Sequence, residues 1–396
     1  MKYVVILGDG MSDYPIKELE NRTPLMAART PNMDYIAGHA SNYGIAKTTL
    51  ENLPAGSDVA NLSALGYDPS KYYTGRGPLE AGSMGVSLKK TDIAFRCNLI
   101  TIKDEKIEDY SAGHITSAEA AELMKFLDEK LGNDRIKFYP GISYRHLLVI
   151  DGFTPDTVCT PPHDVLGQPA KDNLPKGEGH QTIIDLIERS RELLKDHPIN
   201  LKRIAMGKNP ANSIWPWGQG KTPSMPLFKE KYGIEGSVIS AVDLIKGLGV
   251  FAGLNVIDVP GATGYLDTDY NAKARYALES LNERDFVFIH VEAPDEASHE
   301  GKLKEKIKAI EDLDAKVVGP VLEGMKKFGE YKIMIMPDHP TPLSIKTHAR
   351  DPVPFAIFHS GSYAANDKTY DEASMSGGEY VEHGYRLMDL LINGSI

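Results

Sequence analysis

Asp295 and His299 stand four residues apart in Pro294-Asp295-Glu296-Ala297-Ser298-His299-Glu300-Gly301. On a helix that spacing puts a carboxylate and an imidazole on one face, where both can ligate one cation. A plain helix start, with Asp295 as its cap, fits the same residues. Asp338-His339 follows an apolar run and precedes Pro340-Thr341-Pro342; adjacent side chains cannot share a helix face, but a loop can splay them toward two ions. His348 precedes another apolar run, and Asp9 lies between Gly8 and Gly10, which let the backbone approach a ligand closely. Ser57, in Ala55-Gly56-Ser57-Asp58-Val59-Ala60-Asn61, stands at the start of a helix expected over 58–65. It is either an N-cap or a nucleophile placed where a helix N-terminus favours an attached phosphate. These residues supply three carboxylates, three imidazoles and a hydroxyl. That inventory suits two divalent ions, one held by Asp295, His299 and His348, the other by Asp9, Ser57, Asp338 and His339. Two ions roughly 4 Å apart can ionise a nucleophile and clamp a phosphoryl group during in-line displacement. Oxygen and imidazole donors suit manganese first, with zinc or magnesium as alternatives.

The elements that must position these residues are short apolar runs. Residues 3–7, 286–291, 331–336 and 354–358 predict strands buried on both faces. The first three each deliver an acidic residue just past the C-terminal end, where open parallel α/β sheets place their ligand sites. Apolar periodicity predicts helices over 117–131, 182–194, 241–248 and 271–281, and a long one over 303–328. The alternation argues for an α/β sheet with helices on both faces. Between 86 and 204 the strand candidates (93–102, 136–139 and 144–151) are more amphipathic, and a Pro- and Gly-rich passage spans 160–179. This predicts an α+β insertion over 86–204 that interrupts a core made of 1–85 and 205–396.

Among the 396 residues, 44 Lys and Arg face 55 Asp and Glu, a net charge of -11. That excludes a broadly basic nucleic-acid surface; anion binding would need a local cationic pocket or metal ions. Cys97 and Cys159 cannot form a disulfide framework or a cysteine zinc cluster. The N-terminal apolar run is too short for a signal peptide, and no stretch approaches the ~20 apolar residues of a membrane span. A cytoplasmic protein without nucleic-acid or membrane partners is expected, and no oligomeric state is assigned. Gly218-Gln219-Gly220-Lys221-Thr222 lacks the first glycine of a P-loop, which disfavours a direct ATP kinase.

The motifs above, with Gly75-Arg76-Gly77-Pro78-Leu79-Glu80-Ala81, Ala112-Gly113-His114 and Pro161-Pro162-His163-Asp164, resemble those of the cofactor-independent (2,3-bisphosphoglycerate-independent) phosphoglycerate mutases of the short, archaeal type, in the alkaline phosphatase superfamily. The resemblance covers nearly the whole chain. It implies an alkaline-phosphatase-like α/β core sheet with helices on both faces, interrupted by an α+β cap domain that binds the substrate. It also implies both ion sets, a phosphoserine at Ser57 and no need for bisphosphoglycerate. The implied substrate is a small phosphorylated hydroxy acid, and the implied reaction interconverts 2-phosphoglycerate and 3-phosphoglycerate, a step of glycolysis and gluconeogenesis. His114, Arg145, Arg96 and Arg76 become candidates for holding its carboxylate and phosphate in the cap, and Lys221 for a core lysine touching the phosphate. The acid–base motif of the longer family members has no clean counterpart; Asp164 is the candidate. Competing readings are a homoserine kinase-like phosphotransferase, a metal-dependent phosphatase and a non-enzymatic metal-binding module.

Overall fold

Runs rich in valine and isoleucine that cannot expose either face end up in the middle of a sheet. In the computed structural model, which describes residues 1–362 and 365–396, the strand Lys2–Gly8 is buried from Tyr3 onward. Val4 and Ile6 pack with Ile310, Leu313, Val317 and Val321 on one side, while Val5 and Leu7 are fully buried on the other. Each such side chain contributes about 1.5–3 kcal/mol of burial. Among the described residues, eight strands form this sheet, in the order Asn255–Ile257, Gly236–Ile239, Phe286–Val291, Lys2–Gly8, Tyr331–Met336, Val353–His359, Ala40–Ala46 and Glu379–Val381. Lys2–Gly8 pairs in parallel with both neighbours, Gly8 opposite Val291 and Leu7 opposite Met336. Three strand ends, and the three acidic loops that follow them, therefore lie side by side.

The long helix expected over 303–328 is interrupted. Leu303–Leu313 passes through a π turn, Asp314–Val318, into Gly319–Met325. Pro320 has no N–H to continue the α ladder. The Asp314 carboxylate meanwhile accepts the backbone N–H groups of Asn32 (3.0 Å) and Met33 (2.7 Å), which start the helix Pro31–Gly38.

The chain divides into two compact units, Met1–Tyr73 with Met225–Ile396, and Thr74–Ser224. In the second, Asp92–Lys103 is the central strand of an antiparallel sheet, paired with Arg145–Asp151, Lys106–Asp109 and Ser213–Gly220. One face carries Phe95, Cys97 and Leu99 against Leu123 and Leu127 of the helix Ser117–Leu131 and Ile183 and Leu186 of His180–Leu194. The other carries Ala94 against Ala81 of the helix Arg76–Ser83. Covered on both faces, the central strand is buried over nearly its whole length, unlike the amphipathic strand expected.

The boundaries also differ from those expected at 85/86 and 204/205. Ser213–Gly220 extends the inserted sheet, Leu99 opposite Ile214, and Arg76–Ser83 seats on the same strand. That seat is close: a Cβ on Gly77 would lie 2.3 Å from the Ala94 carbonyl oxygen, so only glycine fits there. Among the described residues no helix is long and apolar enough to cross a membrane.

Candidate active site and metal centre

Asp9 leaves the end of Lys2–Gly8 fully buried, as are Asp338 and His339 just past Tyr331–Met336. Asp338 Oδ1 accepts the backbone N–H groups of Gly10 (3.1 Å) and His339 (2.8 Å), and Oδ2 accepts Asn61 Nδ2 (2.7 Å). His339 Nε2 lies 3.3 Å from Asp338 Oδ2, 3.6 Å from Asp9 Oδ1 and 3.1 Å from Ser57 Oγ. Ser57 is the first residue of the helix Ser57–Ala64, and the N-cap is Gly56. The cap role open to Ser57 in the sequence is thus corrected, and its hydroxyl is left facing His339 rather than bonded to the backbone.

Asp295 and His299 do share a face of one helix, Ala293–His299, whose N-cap is Glu292 rather than Asp295. Asp295 Oδ2 is 3.0 Å from His299 Nε2. His348, from the loop before Val353–His359, brings its Nε2 to 3.1 Å from that of His299 and 3.8 Å from Asp295 Oδ1. His299 Nδ1 donates to the Lys346 carbonyl (3.0 Å), so that in the neutral ring Nε2 carries the lone pair a cation would take. Gly10 packs against Asp295 and Thr341. Its φ is +60°, and a Cβ there would lie 2.4 Å from Asp295 Oδ1.

A further grouping was not legible beforehand. His290 Nε2 lies 2.8 Å from Asp9 Oδ2 and 3.5 Å from Glu292 Oε2. Ser240 Oγ, which accepts the Val242 N–H, lies 3.1 Å from His290 Nδ1. Lys273 Nζ, fully buried, donates to the His290 carbonyl (3.0 Å). Glu292 had a signal, an acid directly after a strand; His290 and Lys273 are single polar residues inside apolar patterns. Asn61 lies within the quoted Ser57 motif, but its bond to Asp338 spans 277 residues.

Three groups of these side chains place their ligand atoms within 4.8 Å of one another and could hold a metal ion: Asp295, His299 and His348; Asp9, Asp338 and His339; and Asp9, His290 and Glu292. The electrostatics fit a divalent cation. Burial, then repulsion from Asp338, Glu292 and Asp295, raises Asp9 well above the carboxylate range. Burial and Asp295 push Asp338 up to about 6 and Glu292 up to about 8. Burial holds His339 and His290 down near 3, so both rings are neutral, the ligating form. Burial works against both members of the other pair as well, but there the His–Asp contacts prevail. They hold Asp295 well below its ordinary value and lift His299 to about 9. Asp9 Oδ1 and Asn61 Oδ1 are buried with no hydrogen-bond partner among the described residues.

The second unit carries the opposite charge. Glu80 Oε1 accepts Arg96 Nη1 (2.9 Å) and Arg76 Nε (3.2 Å). Burial alone would raise Glu80, but Arg96, Arg76 and Arg145 outweigh it and lower it. The Arg96 guanidinium lies 4.9 Å from the Trp217 ring centre, and that of Arg76 5.7 Å, within cation–π range. Burial lowers Arg96 to about 10, still charged at neutral pH. Arg96 Nε and Arg145 Nε are buried without a hydrogen-bond partner among the described residues. Three guanidinium groups against one carboxylate suit an anion. Glu80 and Trp217 had no individual signal in the sequence.

The other cap candidates are not gathered here. His114 is exposed, in a left-handed turn with φ +47°. Among the described residues no hydrogen bond or ion pair links its ring to these arginines. Lys221, expected in the core, falls instead in the Thr74–Ser224 unit, exposed just after Ser213–Gly220, because that strand belongs to the inserted sheet. The Asp164 side chain is 60% exposed, with a carboxylate oxygen 3.6 Å from His163 Nε2.

The family model for 2,3-bisphosphoglycerate-independent phosphoglycerate mutase matches residues 39–200. A relative from Methanosarcina barkeri bearing that name is 56% identical over 381 residues, 96% of either chain. One from Methanothrix thermoacetophila with the same name is 54% identical over the full length of both. Among solved structures, a protein from Pyrococcus horikoshii superposes with a TM-score of 0.83 at 31% identity, covering 99% of this chain and 96% of that one. A cofactor-independent phosphoglycerate mutase from Thermoplasma acidophilum does so with a TM-score of 0.67 at 29% identity over the whole of both.

Proposed function

This chain belongs to the 2,3-bisphosphoglycerate-independent phosphoglycerate mutase family, isomerases that act as intramolecular phosphotransferases, and we propose that it interconverts 2-phosphoglycerate and 3-phosphoglycerate through a phosphoserine at Ser57. The observation that carries the reading is Ser57 Oγ, at the start of a helix and 3.1 Å from His339 Nε2, beside two carboxylate–imidazole sets. Asp295, His299 and His348 hold one divalent cation, and Asp9, Ser57, Asp338 and His339 hold the other. Such ions lower the pKa of the serine hydroxyl and offset charge on a transferring phosphoryl group. Manganese is our first choice, with zinc or magnesium as alternatives.

Ser57 Oγ, already deprotonated, attacks phosphorus, and the bond from phosphorus to the glycerate oxygen breaks. The departing alkoxide takes a proton, for which Asp164 is the candidate donor. The other glycerate hydroxyl then returns a proton to the same acid–base residue and attacks phosphorus, and the bond from phosphorus to Ser57 Oγ breaks, which regenerates Ser57. No bisphosphoglycerate enters this cycle. The helix N-terminus favours the phosphate while it is attached to Ser57.

The Thr74–Ser224 unit acts as the substrate-binding cap. Arg76, Arg96 and Arg145 hold the carboxylate and phosphate of the substrate, with His114 and Lys221 as further contacts. The two cysteines, both free, support a cytoplasmic location.

The test is an assay with 3-phosphoglycerate, manganese and no bisphosphoglycerate. We expect 2-phosphoglycerate with little inorganic phosphate. Mostly inorganic phosphate, or turnover only with ATP and homoserine, would overturn the assignment.

A further inference from the structure

Thr341, fully buried, touches a residue of each ligand set. Its Oγ1 lies 2.5 Å from Asp295 Oδ1 and 3.2 Å from His339 Nδ1. An ionised carboxylate only accepts, so the single hydroxyl proton goes to Asp295. The threonine oxygen is left to accept, and the proton on the imidazole of His339 must therefore sit on Nδ1. A neutral imidazole carries one N–H, so Nε2 keeps its lone pair, aimed toward Ser57 Oγ at 3.1 Å and Asp338 Oδ2 at 3.3 Å.

We propose that Thr341 is a positioning residue that couples the two sets: one hydroxyl aims Asp295 in the first and fixes His339 in its ligating tautomer in the second. This rests on the two-cation reading above. The backbone holds the hydroxyl in place. Thr341 N–H donates to the Ser12 carbonyl (3.2 Å), and the Thr341 carbonyl accepts Lys306 Nζ (3.0 Å). Lys306, itself fully buried, also donates to Asp13 Oδ2 (2.8 Å) and so ties the loop after Lys2–Gly8 to the loop after Tyr331–Met336. Pro340 and Pro342 fix φ on either side. A Cβ on Gly10 would lie 2.6 Å from Thr341 Oγ1, so the glycine leaves the hydroxyl its space.

The experiment uses the full chain stripped of metal. Manganese(II) binding is followed by titration calorimetry, and the histidine ring tautomers by ¹⁵N NMR. His299→Ala and Asp338→Asn identify which binding step belongs to which set. We expect wild-type His339 in the Nδ1–H form. Thr341→Val, which keeps the shape, should weaken both steps by about 10- to 100-fold, the usual range for losing a partner of a metal ligand. Thr341→Ser should bind close to wild type. A wild type that binds no manganese would overturn the two-cation reading itself. A wild type that binds two ions, with Thr341→Val binding both equally well or weakened in one step alone, would overturn the coupling. Should the valine variant not fold, the wild-type spectrum decides, and an Nε2–H tautomer of His339 would refute the proposal.

Discussion

In the unit made of residues 1–73 and 225–396, buried charge sits on carboxylates at the ends of parallel strands, whereas in Thr74–Ser224 it sits on guanidinium groups along the face of an antiparallel sheet. The strand ends gather Asp9, Asp295 and Asp338 from far apart in the chain and orient them with backbone N–H groups and with Asn61 and Thr341. The sheet face needs no such convergence. Arg96 and Arg145 come from paired strands, at positions that point to the same side by the two-residue repeat of a strand. The compensation differs too. Glu80 accepts from two of the three arginines, so that cluster keeps its charge without a ligand. Asp338 accepts from uncharged N–H donors instead, and burial drives it, Asp9 and Glu292 toward protonation. One region is organised for cations and the other for anions.

The comparison breaks most sharply at Ser57. Ser57→Ala should abolish mutase turnover while the protein stays folded, because Gly56 supplies the helix cap and the hydroxyl's bond is to His339. A near-normal rate would eliminate the phosphoserine route. Metal removal comes next. Exhaustive chelation should stop the reaction, and manganese should restore it best. Asp338→Asn and His299→Ala should each lower metal content in elemental analysis. Full activity with no metal present would leave the carboxylate cluster without its cation role.

Smaller effects are expected in the second unit. Arg145→Ala should raise the KM for 3-phosphoglycerate, since a charge-assisted hydrogen bond contributes about 1.5–3 kcal/mol. It should also raise the share of phosphate released to water. Unchanged KM and product ratio would take Arg145 out of the substrate site. His114→Ala tests whether an exposed residue outside the arginine cluster contributes in the same way.

The smallest effect is on stability. Burial, then Arg145 and Arg96, push His146 down from 6.5 to about 3. The unfolded chain therefore takes up its proton more readily than the folded one. The stability this contributes is full above pH 6.5 and is lost as pH falls toward about 3, at up to about 1.4 kcal/mol per pH unit. Urea unfolding at pH 7 and pH 5 should show this slope in the wild type and a shallower one in His146→Gln. Equal slopes would remove His146 as its source.

Much of the site was legible because residue type and position carried the signal. Asp9 and Asp338 follow apolar runs whose β-branched composition already marks buried strands, and the Asp295–His299 spacing matches a helix turn. The residues that aim these ligands left weaker traces. Thr341 reads as one threonine between two prolines, and His290 as a polar interruption in an apolar strand. The boundaries near 85 and 204 differed from the observed 73/74 and 224/225 because pairing decides which sheet a strand joins. Residues 213–220 look much the same in either place.

By itself the sequence determined the alternation of strands and helices, the acidic loops at strand ends and the ligand inventory, because periodicity and local composition set burial and turns. Only the tertiary structure decided that Gly56 rather than Ser57 caps the helix and that His290 reaches Asp9. It also decided that Glu80 binds Arg76 and Arg96, and that Thr341 bridges Asp295 and His339. The contacts of His290 with Asp9, of Glu80 with Arg96 and of Thr341 with Asp295 join residues distant in the chain, at separations set by sheet register and helix packing, and no local pattern encodes a distance in space.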